Sequence, residues 1–148
     1  MSEDLRTENS VTIEVPIEKV WEALTTAELR KQWFFGVDTE TDWKAGSPIV
    51  HRGEYQGKTY EDRGIILEIE PPRLLVHSHW SPVSGPPDTL ENHERVSWEL
   101  SERDGGTELT ISESNLPSEE ARGTSETNWR VVLGNLKSLL EGTELPES

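Results

Sequence analysis

Apolar and polar residues alternate over 8 to 15, "ENSVTIEV", with Val11, Ile13 and Val15 on one face, which predicts a half-buried strand. Pro16 stops ladder pairing and suits the first turn of a helix. Ile17, Val20, Trp21 and Leu24 then fall at i, i+3, i+4 and i+7, one face of a helix about two turns long. Thr25 and Glu28 have capping-box spacing, so a second short helix is expected to restart there and end near Trp33. Gly46 in "DWKAGS" and Gly57 in "YQGK" mark turns between candidate strands. Strands are predicted over 64 to 70, "GIILEIE", closed by Pro71-Pro72, and over 73 to 80, "RLLVHSHW". The Pro- and Gly-rich "SPVSGPPDTLEN", 81 to 92, reads as a mobile loop long enough to carry function.

The hairpin "ERVSWELSERDGGTELTISE" is the sharpest local signal. Asp104-Gly105 is the dipeptide expected of a two-residue type I′ turn. With Arg103 opposite Gly106, Leu100 faces Leu109, Trp98 faces Ile111 and Val96 faces Glu113, so the apolar residues of both strands share one face. Further on, Trp129, Val132, Leu133, Leu136, Leu139 and Leu140 keep a helical period, and Gly142 is a natural stop. At ~1.5 Å per residue a helix from 119 to 141 would span ~33 Å, enough to cross a whole sheet. Strand, two short helices, some six strands and a long helix make an α+β fold with an antiparallel sheet and a helix on one face.

The 148 residues are read as a single domain, 1 to 148, with an ordered core over about 8 to 142. Cysteine is absent, which removes disulfides, thiolate metal sites and cysteine nucleophiles. The start, "MSEDLRTENS", is polar and acidic where a signal peptide needs an apolar run, and no stretch approaches the ~20 apolar residues of a membrane span. A soluble, cytoplasmic protein without membrane insertion is expected. A net charge of -15 repels phosphate backbones and anionic headgroups, so no nucleic-acid partner is expected. Six tryptophans in a chain that is 32% hydrophobic put much of the apolar burial on large rings.

Val15-Pro16 through Val20-Trp21-Glu22-Ala23-Leu24-Thr25 to Trp33-Phe34 opens a set of four ordered stretches. Gly64 to Pro72 with Arg73-Leu74 follows, then Gly106-Thr107-Glu108-Leu109-Thr110, then Asn128-Trp129 with Leu133, Leu136 and Lys137. Together they resemble the helix-grip superfamily of the birch-pollen allergen and the START domains. Within it they are similar to the branch named after the C-terminal domain of the activator of the heat-shock-protein-90 ATPase. The resemblance covers Val11 to Glu141 and implies a curved antiparallel sheet of about six to seven strands gripping the long helix, with a cavity between them. It also implies that the two short helices close one end of the sheet, with Trp33 and Phe34 near the cavity rim. The full-length co-chaperone has a separate N-terminal domain that provides much of its chaperone contact. This sequence begins almost directly on the first strand, so that domain is expected to be missing and chaperone activation is not the expected role.

Alternation suggests which side chains face inward. In the hairpin these are Val96, Trp98, Leu109, Ile111 and therefore Glu113. In the 73 to 80 strand the more apolar face holds Leu74, Val76, Ser78 and Trp80, which leaves His77 and His79 pointing out unless a bulge flips the parity. Glu113 is the candidate acid or base, since desolvation raises a carboxyl pKa, although it could also sit in water or pair with Arg52 or Arg130. His77-x-His79 has a spacing compatible with a metal, but no third ligand is evident, so no metal and no cofactor is expected. Phosphate-binding loops, hydrolase elbows and zinc-protease helices are absent. Trp33, Phe34, Trp80, Trp98, Glu113 and Trp129 are the expected ligand-binding residues, their rings either lining a cavity or simply filling it. Three readings follow: a module binding a small hydrophobic molecule, a cyclase- or hydrolase-like enzyme using Glu113, or an interaction domain with a chaperone-type protein partner.

Overall fold

Asp104 and Gly105 take positive φ values of 42° and 89°, and the turn they make sets the two strands around it in the predicted register. Leu100 lies opposite Leu109, Trp98 opposite Ile111 and Val96 opposite Glu113. The structure is a computed structural model that describes residues 5–34, 36–55, 57–80, 93–116 and 118–142. In chain order the elements are β1 (Thr7–Ile13), α1 (Ile17–Thr25), α2 (Ala27–Trp33), β2 (Asp38–Glu40), β3 (Pro48–Tyr55), β4 (Lys58–Glu70), β5 (Leu74–His79), β6 (Glu94–Arg103), β7 (Gly106–Ser114) and α3 (Glu119–Glu141). The loop expected at 81 to 92 lies outside the described residues.

All seven strands form one curved antiparallel sheet in the order β1-β7-β6-β5-β4-β3-β2. The excursion through α1 and α2 takes the chain from one edge, β1, to the other, β2, and successive hairpins bring it back. α3 then lies against the sheet as the helix of a helix-grip fold. Val132, Leu133 and Leu136 bury one stripe of α3 against Ile13, Leu24, Trp98, Leu109 and Ile111. Polar ties fix the helix on β1: Lys137 Nζ donates to Thr12 O, and Glu141 accepts from the Glu14 N–H at 2.8 Å. Ser118 accepts from the Ala121 N–H at its start, and Gly142 ends it with φ 78°.

Two local expectations need correction. The capping box does not form: the Thr25 hydroxyl donates back to Trp21 O at 2.9 Å, and Thr26 takes the cap position without a side-chain bond. The parity of β5 is also the reverse of the expected one. Leu74-Leu75-Val76 offers apolar residues to both faces, so alternation alone does not choose between them. Pairing with β6 chooses: Leu75 lies opposite Trp98, His77 opposite Val96 and His79 opposite Glu94, all on the inward face. Val76 and Ser78 are buried on the opposite face, where Ser78 Oγ accepts from the Ile65 N–H and pairs with His93 Nδ1.

Candidate functional site

Between the inward faces of β5, β6 and β7 and the N-terminal half of α3 lies a cavity of about 270 Å³. Phe34, Val96, Trp98, Trp129 and Val132 form its apolar walls. Trp98 is held in place by edge-on contacts with Trp129 and Trp33, at ring separations of 5.6 and 5.7 Å. The expected aromatic set is therefore split. Phe34, Trp98 and Trp129 line the cavity. Trp33 is fully buried behind Trp98, with its indole N–H on Ala23 O at 2.9 Å, so it packs the core and is not among the residues lining this cavity. Trp80 lies outside because of the reversed parity; it bridges Arg63, whose guanidinium carbon sits 5.9 Å from its ring. A larger depression of about 610 Å³ opens over Arg73, Glu99, Glu102 and Glu108, but charged, solvated side chains make up much of its wall.

One wall carries a histidine among carboxylates. His79 approaches Asp62 through Nε2 at 3.0 Å and Glu94 through Nδ1 at 3.3 Å. Burial pulls this imidazole down, but the bonds and charges of Asp62 and Glu94 outweigh that and raise it to about 10, so it is an imidazolium at neutral pH. Glu113 is 5% exposed and accepts from the Trp129 indole N–H at 2.8 Å. Burial raises its carboxyl, and the Trp129 bond only partly offsets that. The alternative partners considered for it are occupied elsewhere, Arg52 by Glu40 and Glu61 and Arg130 by Glu126. Ligand atoms of His79, Glu94 and Glu113 lie within 4.8 Å of one another, so among the described residues these three could hold a divalent cation. A metal there would have to displace the His79 proton, which the carboxylates hold firmly.

The other polar groups are of opposite character. His77 is buried with both nitrogens committed: the Trp98 indole can only donate, so Nε2 accepts at 3.2 Å, and Nδ1–H donates to Ser78 O at 3.0 Å. Burial lowers His77 to about 3, and burial with the neighbouring Arg30 charge holds His51 well below its ordinary value, so both are neutral. Arg30 is 1% exposed. Its Nη1 donates to Leu24 O at 2.8 Å and its Nε to Thr39 Oγ1 at 3.2 Å. Four rings surround its guanidinium carbon, Trp33, Phe34, Trp43 and Trp98, at centroid distances of 5.0 to 5.9 Å. Burial pulls it down to about 9, which leaves it charged at neutral pH.

Sequence reasoning singled out neither Arg30 nor His51 as a cavity residue. One signal was available: Arg30 sits three residues before Trp33 and so shares its buried helix face. Glu94 carried a signal too, since it lies two residues before Val96 and so on the same strand face, but only pairing sets it beside His79.

Residues 14–141 match the model of a protein family described as activator of Hsp90 ATPase homolog 1-like protein. A search of curated proteins finds no match. Among solved structures the chain is similar to ChR145 from Cytophaga hutchinsonii, 41% identical, with a TM-score of 0.83 over 96% of this chain and 97% of that one. CalU16 from Micromonospora echinospora is 24% identical, with a TM-score of 0.72 over 97% of this chain and 77% of that one. The Aha1 dimer from Colwellia psychrerythraea has the same fold, at 22% identity and a TM-score of 0.75 over 92% of this chain and 96% of that one.

Proposed function

The chain belongs to the activator of Hsp90 ATPase homolog 1-like family, and from that premise we propose that it is a binding module holding a small hydrophobic molecule between its sheet and α3. The cavity of about 270 Å³ walled by Phe34, Trp98 and Trp129 carries this reading. That volume is near the lower end for ligand sites, and an apolar lining with a few placed polar groups is their usual chemistry. Native mass spectrometry of the freshly purified protein, set against its denatured mass, tests it. An adduct that disappears on denaturation supports the module. A bare mass, with no heat on calorimetric titration with small aromatic compounds, overturns it.

A second reading has one observation in its favour. Glu113 is a buried carboxyl at the cavity wall with its proton affinity raised, the condition of a general acid or base in a cyclase- or hydrolase-like enzyme. Glu113→Gln separates the two: a binding module retains its ligand, whereas an enzyme binds its substrate and no longer turns it over.

A further inference from the structure

Two nitrogen donors at the cavity remain unspent. The structural duties of Arg30 use Nη1 on the last turn of α1 and Nε on β2, which staples α1, α2 and β2 together. Among the described residues Nη2 has no hydrogen-bond partner, and no carboxylate forms an ion pair with this guanidinium. The second donor is on His51. Thr39 Oγ1 accepts from Arg30 Nε, and among the described residues its own proton has only His51 Nδ1, at 3.1 Å, to go to. His51 Nδ1 is then an acceptor, which puts the ring proton on Nε2, and Nε2 has no partner among the described residues. Neither nitrogen is among the sealed, unpartnered polar atoms of the interior, and both residues line the cavity.

A buried cation without a counter-ion is costly, and surrounding rings compensate only part of that cost. The carboxylates on the same cavity are already engaged, Glu94 with His79 and Glu113 with Trp129, so they do not supply the missing charge. We infer that the cavity is selective for a small aromatic acid, whose carboxylate takes the unspent donors of Arg30 and His51 while its ring lies against Phe34 and Trp98. This rests on the binding-module reading and adds the ligand's chemistry to it. A guanidinium matches a carboxylate with paired, charge-assisted bonds. The ring contacts are in place: Phe34 stands edge-on to His51 at 5.9 Å, with Arg30 5.5 Å from its centroid. The chain's net charge of -15 repels anions in general, so any preference for an anionic ligand must come from this local site.

Calorimetric titration of the full chain with naphthoate and with its uncharged twin, naphthamide, tests the inference. One site per chain is expected, with naphthoate bound roughly tenfold or more tighter than naphthamide, the ratio a charged hydrogen bond supplies. Arg30→Met is expected to erase the preference, so that naphthoate and naphthamide bind alike in that variant; Arg30→Lys, which keeps the charge without the fork, should fall between. If the unsubstituted protein binds the two compounds equally, or prefers naphthamide, the acid inference is overturned and the cavity reading stands. A folded Arg30→Met protein that keeps the full preference overturns it as well. Binding of neither compound overturns the acid inference, and together with a bare native mass it overturns the cavity reading too. The first comparison needs no variant, so it decides the inference even if Arg30→Met misfolds.

Discussion

His77 shows how burial turns an ordinary titrating group into a structural one. Both its nitrogens are satisfied only in the neutral form, and its pKa falls from 6.5 to about 3. A depressed folded value means that the stability this group supports is fully present above pH 6.5 and is lost as pH falls toward about 3. Unfolding free energies from urea titrations at pH 7 and pH 4.5 are expected to differ by on the order of a few kcal/mol. His77→Gln keeps a donor for Ser78 O and an acceptor for the Trp98 indole, so the acid loss should shrink in that variant; an undiminished loss would place the effect elsewhere. Glu113 has the opposite sign. Its folded pKa is raised above 4.5, so its charge costs stability as pH climbs from 4.5 through the folded value. Glu113→Gln still accepts from Trp129 and should melt higher than the parent at pH 8 but not at pH 4. Equal melting differences at the two values would refute this.

At the scale of elements, two glycines with the same freedom have opposite duties. Gly64 on β4 lies so close to β5 that an added Cβ would overlap the Ser78 carbonyl oxygen. Gly64→Ala must push the two strands apart and is expected to destabilise by more than about 3 kcal/mol, in the range reserved for broken core features. Gly134, inside α3, has nothing within 4 Å of an added Cβ, and Gly134→Ala should stabilise by up to about 1 kcal/mol. Chemical denaturation of the pair decides the point: similar effects in both variants would contradict the packing argument. Elements with one dominant period are legible in the sequence. The β6–β7 hairpin and α3 at Glu119–Glu141 appear where the pattern predicts them. β2 escapes that reading because its three residues are too short for a period, and the parity of β5 is misread because its apolar run has none.

Across the whole molecule, charge works against compactness. A net charge of -15 repels itself, and pairs such as Arg52 with Glu40 or Lys31 with Asp38 are exposed to solvent, where each contributes little. Added salt screens the repulsion over a Debye length of ~10 Å at 0.1 M, so the melting temperature should rise by a few degrees between low and moderate ionic strength. A fall on adding sodium chloride would show that the surface ion pairs outweigh the repulsion. None of the described helices is long and apolar enough to cross a membrane.

The sequence by itself determined the α+β class, the element order, the hairpin register and the helix that grips the sheet, because each is written in neighbouring residues as a period or a turn. It also marked Trp98, Trp129, Phe34 and Glu113, all of which line the cavity. Only the tertiary structure decided that Trp33 is core, that Trp80 faces away and that His77 and His79 turn inward. It alone brought Arg30 from α2 and His51 from β3 to the same cavity as Glu113 from β7. These outcomes depend on which strand pairs with which and on what each side chain meets across the core. Contacts between residues far apart in the chain leave no local pattern to read.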